Sequence, residues 1–323
     1  LGSPQSGEPI SFSAVRFPFL ILLLAATSAW AAPREIVVCQ YNVENYLDAK
    51  AAGEGSKFGT RAKSEEAAEA LVHIIHEISP DILGVCEMGS PERFEDFKKR
   101  LAMAGLGYTD FEYVQAADPD RHLALLSRFP IVARQSAKDV VFEIDGRREK
   151  VRRGFLDVTI QVNADYQLRM VGVHLKSKLA APTGEAVIRR LEATKLRAHL
   201  DGILRADPEV NLVCYGDFND TKNEAMFAEV SGVKGTPGYL ADLWASDTSG
   251  ERWTHYWKTA DLYSRIDYLF VSPALFNEVV KAKSRIYRGE DWNEASDHPP
   301  VFTSIAPVNR PHKAFTESAK ENR

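Results

Sequence analysis

Cysteine is scarce in this 323-residue chain. There are three, Cys39, Cys86 and Cys214, each inside an apolar run, and no two of them stand in a C-x-x-C spacing. That excludes a disulfide scaffold, which needs a dense and even set, and it removes the usual zinc patterns. Three buried free thiols acting as small hydrophobes are expected instead. Excess positive charge is missing as well. Forty Lys and Arg against 45 Asp and Glu leave a net charge of −5. Overall basicity therefore does not hold this chain on nucleic acid, although a local basic groove stays open. There are no internal repeats and no Pro/Gly/Ser-rich linker, which favours one large domain.

Long apolar runs are also lacking, with one near-exception. Residues 17–32 read FPFLILLLAATSAWAA after Arg16, and Ala29-Trp30-Ala31 supplies a small-residue end before Pro33. The run is short for a membrane span, which needs roughly 20 apolar residues. Charge, apolar stretch and A-x-A end make a secretory signal peptide, with cleavage near Ala31 or Ala32; an uncleaved anchor is the alternative. The expected organisation is a leader with N-terminal extension over 1–32, a folded domain over 33–306 and a polar tail over 307–323. The mature chain is expected to be exported, periplasmic or extracellular, with no integral membrane span and no obligate protein partner.

The rest of the composition is that of a foldable globular protein, 45% hydrophobic and 26% charged. Ile36–Tyr41 reads as a strand and 49–63 as a loop. Leu71, Ile74, Ile75 and Ile78 keep helical spacing until Ser79-Pro80 stops the helix. Ile82–Cys86 is nearly continuously apolar, as in a strand covered on both faces. A helix is expected over 91–103, then strands over 123–126, 131–133, 140–144, 155–162 and 168–173, with turns at Asp145-Gly146 and 163–165. Leu196, Leu200, Ile203 and Leu204 stripe a long helix. A strand over 211–215, a short helix near 223–230 and a loop-rich stretch over 232–265 follow. Strands over 266–271, 281–288 and 301–305 close the domain. Strand–helix units in both halves with hairpins between them suggest two sheets face to face with helices outside.

Polar islands stand where the apolar runs stop: Asn42-Val43-Glu44, Glu87, Ser127-Arg128, His174, Asp217-Phe218-Asn219, Asp267 and Asp297-His298. Singly each has a bland reading. Glu87 could be a solvated strand cap, and Asp-Phe-Asn-Asp could be a turn. Asp217 and Asn219 flank Phe218, so both side chains can point one way. Asp267 sits in an otherwise apolar strand and needs a partner there, which Asp297-His298 offers. Together they supply carboxylates for a hard cation, donors for phosphate oxygens and a His–Asp pair for a proton.

The motifs QYNVENYLD, ILGVCEM, ALLSRFPIV, VGVHLKSK, YGDFND, SRIDYLFVS and ASDHPPV, in this order over residues 36–305, resemble the endonuclease/exonuclease/phosphatase superfamily. The resemblance implies a DNase I-like α/β fold, a four-layer α/β/β/α sandwich of two mixed sheets flanked by helices. It implies that Glu87, with Asn42 and the nearby Glu44, holds a Mg²⁺ or Mn²⁺ ion, and that Asp297 serves a second metal site or steadies the first. Asp217 would orient or deprotonate the attacking water, and Asn219 would donate to the phosphate. His298 would be held protonated by Asp267, His174 would donate to a non-bridging oxygen, and Arg128 and Lys176 would bind phosphate. The superfamily's substrates are diverse. The leader and the motif wording look most like bacterial exported nuclease-like members, which makes nucleic acid the expected substrate. Inositol phosphate, lipid headgroup or another small phosphoester is the alternative, and an inactive binding module a second. The basic run Arg147–Arg153 could grip a polyanion or be a solvated hairpin end. The aromatics around Trp253–Trp257 could stack bases or pack under a loop. No apolar membrane-docking loop stands out.

Overall fold

Two six-stranded sheets lie face to face, each closed on its outer side by helices. The computed structural model describes residues 1–2, 34–48 and 62–311, so the leader, most of the expected loop over 49–63 and the tail beyond 311 lie outside the described residues. The chain divides into two units, Leu1–Ala32 and Pro33–Arg323, and the sandwich is the second. In chain order the strands are β1 (Ile36–Tyr46), β2 (Ile82–Met88), β3 (Asp110–Val114), β4 (His122–Ser127), β5 (Ile131–Arg134), β6 (Val141–Ile144), β7 (Arg147–Lys150), β8 (Leu156–Asn163), β9 (Tyr166–His174), β10 (Leu212–Asp217), β11 (Ala241–Asp242), β12 (His255–Trp257), β13 (Leu262–Ser264), β14 (Asp267–Val271), β15 (Arg285–Ile286) and β16 (Val301–Ile305). The helices are α1 (Glu65–Ile78), α2 (Pro91–Met103), α3 (Glu185–Ala206), α4 (Ala225–Ser231), α5 (Pro273–Phe276) and α6 (Trp292–Ala295). One sheet runs β15-β16-β1-β2-β4-β3 and the other β11-β14-β10-β9-β8-β5; β6-β7 and β12-β13 are separate hairpins.

The period-2 pattern of the strands divides the core. In β1, Val38 faces the space between the sheets while Cys39, Tyr41 and Val43 face the helices. Leu71, Ile74 and Ile75 of α1 and Phe94, Phe97 and Leu101 of α2 cover that outer face. Leu196, Leu200 and Ile203 of α3 cover Leu212 and Cys214 of β10 on the other side. Ser64 begins α1 by accepting from Ala67 N–H, and Ser79 ends it in the left-handed conformation. Between the sheets, the Tyr215 ring fills the space that side chains at Gly84 and Gly172 would occupy. A Cβ at Gly84 would stand 2.0 Å from that ring and one at Gly172 2.6 Å from its hydroxyl. Cys39, Cys86 and Cys214 are buried free thiols. No helix of the described residues is long and apolar enough to cross a membrane.

Strand direction places the site. The β1–β2 and β9–β10 pairs are parallel, whereas β14 runs antiparallel to β10 and β16 to β1. The C-terminal ends of β1, β2, β9 and β10 therefore meet the N-terminal ends of β14 and β16 at one edge of the sandwich. Three expectations need correction. Residues 281–288 are a short 3-10 turn followed by the two-residue β15, because only Arg285 and Ile286 pair with β16. Strand β3, whose DFEYV lacks a clean apolar alternation, was not expected. The loop-rich stretch 232–265 contains β11, β12 and β13.

Candidate active site

A break in β1 builds the first wall. Asn42 pairs with Cys86 and Tyr46 with Met88, so β1 carries extra residues across two positions of β2. Glu44 and Asn45 take φ of 42° and 52° in that bulge, and Glu87 opposite takes φ 65°. Non-glycine residues in this region are held there by their surroundings, and such strain gathers at functional sites. Here the Glu87 carboxylate accepts Asn45 N–H at 2.9 Å and stands 3.5 Å from Asn42 Nδ2 and 3.7 Å from Arg121 Nε.

Bonds across the two sheets draw the remaining groups together. Asn42 Nδ2 donates to Asp217 Oδ2 at 3.1 Å, and Gln40 Nε2 to Asp267 Oδ1 at 2.9 Å. Asp267 Oδ2 lies 2.8 Å from His298 Nδ1, which leaves His298 Nε2 facing Asp217 and Asp297 at 3.9 and 3.8 Å. His174 Nε2 is 3.5 Å from Asp217 Oδ2 and 3.9 Å from Glu87 Oε1. Asn42, Glu87, His174, Asp217, Asn219, Asp267, Asp297 and His298 thus share one cleft. Three make further contacts. Asn42 Oδ1 accepts Glu44 N–H at 3.0 Å, which turns its Nδ2 towards the carboxylates. Asn219 spends one N–H on Leu175 O at 3.0 Å. Asp297 turns its oxygens to imidazoles, with Oδ2 3.5 Å from His255 Nε2.

Burial and crowding set the charges. Burial and then neighbouring Asp267 push the Asp217 carboxyl up to about 7. Burial opposes charge on His298, but Asp267, Asp297 and Asp217 outweigh it and hold the imidazole protonated, well above its ordinary value. Burial, reinforced by Arg153, drives His174 the other way, well below its ordinary value, so it is neutral. Its Nε2 faces two carboxylates, which favours the tautomer with the proton there. Burial and Asp297 raise Glu44. Burial would raise Asp297 too, but His298, His255 and Lys63 outweigh it and hold it low.

The two residues expected at the phosphate make their contacts elsewhere. Arg128 follows β4, whose Ser127 pairs with Ile82 at the start of β2, roughly 16 Å along the strand from Glu87. It bonds Asp81 and Ser79 there and cannot reach the cleft. Lys176 Nζ turns back onto the carbonyls of Ser177 and Leu179 at 2.8 and 2.7 Å. The guanidinium near the cleft is Arg153, 7% exposed. The β8–β9 pairing ends at Leu156 opposite Gly172, and in the same register Gly154 comes opposite His174. Glu192 ties the two segments by accepting from Arg152 and Lys176 N–H. Arg153 Nε is buried and lies 3.1 Å from Asp118 Oδ2 as an ion pair without a hydrogen bond. The basic run marked this residue, although its four members in β7 are exposed. Arg121 and His255 carried no sequence signal beyond their neighbours.

Glu44 feels both Asp297 and Glu87, while its Oε2 accepts Asp297 N–H at 3.2 Å and lies 3.7 Å from Lys63 Nζ, so carboxylate oxygens from three segments stand near one another beside one Lys. That set fits a hard divalent cation. Outside it, β12–β13 forms a hairpin whose Trp257, Leu262 and Tyr263 are 54%, 52% and 50% exposed, so an apolar projection does exist beside His298. The rim also holds Trp244, with Lys222 Nζ and Arg252 Cζ each 4.3 Å from its ring.

The same architecture occurs in human Nocturnin, whose catalytic domain superposes with TM-score 0.58 at 18% identity over 84% of this chain and 93% of that one. Sphingomyelinase C from Streptomyces griseocarneus gives 0.56 at 18% over 84% and 99%. An endonuclease/exonuclease/phosphatase family protein from Leptotrichia buccalis gives 0.57 at 16% over 84% and 99%. No curated protein sequence matches the chain. Residues 39–298, which run from β1 to the His298 that closes the cleft, match the model of one family, and this chain belongs to it: the Endonuclease/Exonuclease/phosphatase family.

Proposed function

We propose that this protein is an exported, divalent-metal-dependent phosphodiesterase that hydrolyses nucleic acid by in-line attack of water. The observation that carries the reading is one cleft holding a carboxylate poised near neutrality, Asp217, and a protonated imidazole, His298. A general base works best with a pKa near the working pH, and Asp217 takes the proton of the attacking water. His298 Nε2 donates to phosphate oxygen while Asp267 holds Nδ1. Neutral His174, the free N–H of Asn219 and the outer nitrogens of Arg153 take up charge that grows on the phosphoryl oxygens. Asn42 keeps Asp217 and Glu87 apart and aimed. A Mg²⁺ or Mn²⁺ ion at Glu87, with Glu44 and Asp297 beside it, would polarise phosphate oxygen as a Lewis acid.

Nucleic acid is favoured by the cationic rim around Trp244, where a base can stack and a backbone can lie. The β12–β13 projection favours a second reading, a lipid headgroup as substrate, because an apolar tip can seat in a membrane. Residues 33–323 should be assayed on plasmid DNA, RNA, a phosphoinositide, sphingomyelin vesicles and bis-p-nitrophenyl phosphate, with Mg²⁺ or with chelator. Plasmid nicking that chelator stops supports the nuclease. Turnover of the lipid alone replaces it with the second reading, and no turnover of any substrate rejects both.

A further inference from the structure

The ligand atoms of His255, Asp297 and His298 lie within 4.8 Å of one another. Asp297 Oδ2 is 3.5 Å from His255 Nε2, and its Oδ1 is 3.8 Å from His298 Nε2. Ligands about 2.0–2.2 Å from a tetrahedral cation are themselves about 3.3 Å apart, so small side-chain shifts would complete such a site. Each imidazole has its other nitrogen engaged: His298 Nδ1 with Asp267 at 2.8 Å, and His255 Nδ1 with Ser264 Oγ at 3.4 Å. An oxygen partner on Nδ1 fixes the ring and presents Nε2 as the ligand. Backbone bonds hold the group together as well. Tyr256 N–H donates to Asp297 O at 3.1 Å, which locks β12 to the segment that carries His298. The Asp297 side chain is 42% exposed, which gives a cation a way in.

We propose that His255, Asp297 and His298 form a second, transition-metal site, taking Zn²⁺ or a similar borderline cation through two imidazoles and a carboxylate, with the remaining positions open. A nitrogen-rich set disfavours Mg²⁺, which prefers oxygen, so this site differs in chemistry from the carboxylates around Glu87, although Asp297 borders both. Its cation displaces the proton from His298 Nε2, which leaves to solvent, and the proposed hydrolysis needs that proton, so binding switches hydrolysis off. The binding claim stands without the proposed function; the inhibition claim rests on it.

The test uses the full chain, stripped with chelator, dialysed into excess Mg²⁺ and titrated calorimetrically with Zn²⁺. One Zn²⁺ per chain should bind despite the Mg²⁺, and His255→Phe, which keeps a ring against His298 without a ligand, should weaken it roughly tenfold or more. X-ray absorption of the zinc-loaded wild type should show two imidazole nitrogens at about 2.0–2.1 Å, a readout independent of any variant's folding. Zn²⁺ should inhibit Mg²⁺-supported hydrolysis, and His255→Phe should raise the half-inhibiting concentration by the factor it takes from binding. An oxygen-only shell, or Zn²⁺ affinity untouched by His255→Phe, overturns the site. Zn²⁺ bound through both imidazoles without inhibition overturns the switch.

Discussion

Replacing Asp267 by Asn separates a catalytic role for the His298 proton from a structural one. The carboxylate lies 2.8 Å from Nδ1, and Gln40 holds its other oxygen. Charge centres about 4 Å apart interact by about 4 kcal/mol at an effective dielectric near 20. That attraction, together with Asp297 and Asp217, holds His298 well above its ordinary value, with burial of the imidazole working against it. Loss of the charge should therefore lower His298 strongly. Without its proton His298 is lost as a donor to the phosphate, so the rate at the wild-type optimum should drop on the order of 100–1000-fold, the usual cost of one positioned donor. The second effect has a direction of its own. Asp267 is, after burial, the main reason Asp217 is raised, so Asp217 should fall as well. In wild type, kcat/KM needs Asp217 deprotonated and His298 protonated, which places the acid limb near 7 and the alkaline limb higher. In Asp267→Asn both limbs should move to lower pH. Hydrolysis of bis-p-nitrophenyl phosphate across pH at one fixed Mg²⁺ concentration reads this out. A variant that keeps the wild-type rate, or loses rate with an unshifted profile, refutes the reasoning.

Asp217→Asn should cost at least 100-fold in kcat, by the usual size of general-base effects, and it should also change stability. A folded pKa of about 7 against 3.8 means that the folded state binds the extra proton between those values, so stability falls as pH rises through that window. The amide should remove that slope and raise Tm at pH 8 relative to wild type, which calorimetry would show. Arg153→Ala should lower kcat/KM on the order of 100-fold, whereas Arg128→Ala, far down β2, should leave kinetics within about twofold. Equal losses in the two would return phosphate binding to Arg128. Gly84→Ala sets a methyl against the Tyr215 ring and should destabilise the fold by about 1–3 kcal/mol, read as a lower denaturation midpoint.

Much of the sandwich was legible because its strands are covered on both faces or alternate cleanly. Ile82–Met88 and Leu212–Asp217 announce themselves as apolar runs with an acid at or next to the end. Strand β3 and the hairpin β12–β13 did not, since edge and projecting strands need no apolar face. The site was legible wherever a polar residue terminated a buried strand, as with His174 and Asp217. Arg128 satisfied that rule at the wrong end. The residue lies after an antiparallel strand, and sequence does not reveal which end of the sheet such a strand leaves by. Arg153 and His255 belong to segments flanking the cleft, where position depends on long-range pairing with β9 and with the residues before β16.

Crystals soaked with Mn²⁺ and a nucleoside monophosphate, recorded at the manganese edge, test the central claim most directly. The account predicts an anomalous peak bonded to Glu87 and a phosphorus atom between His174 and His298, with Asp217 facing it. A manganese peak away from Glu87, or phosphate bound at another face of the sandwich, would contradict it.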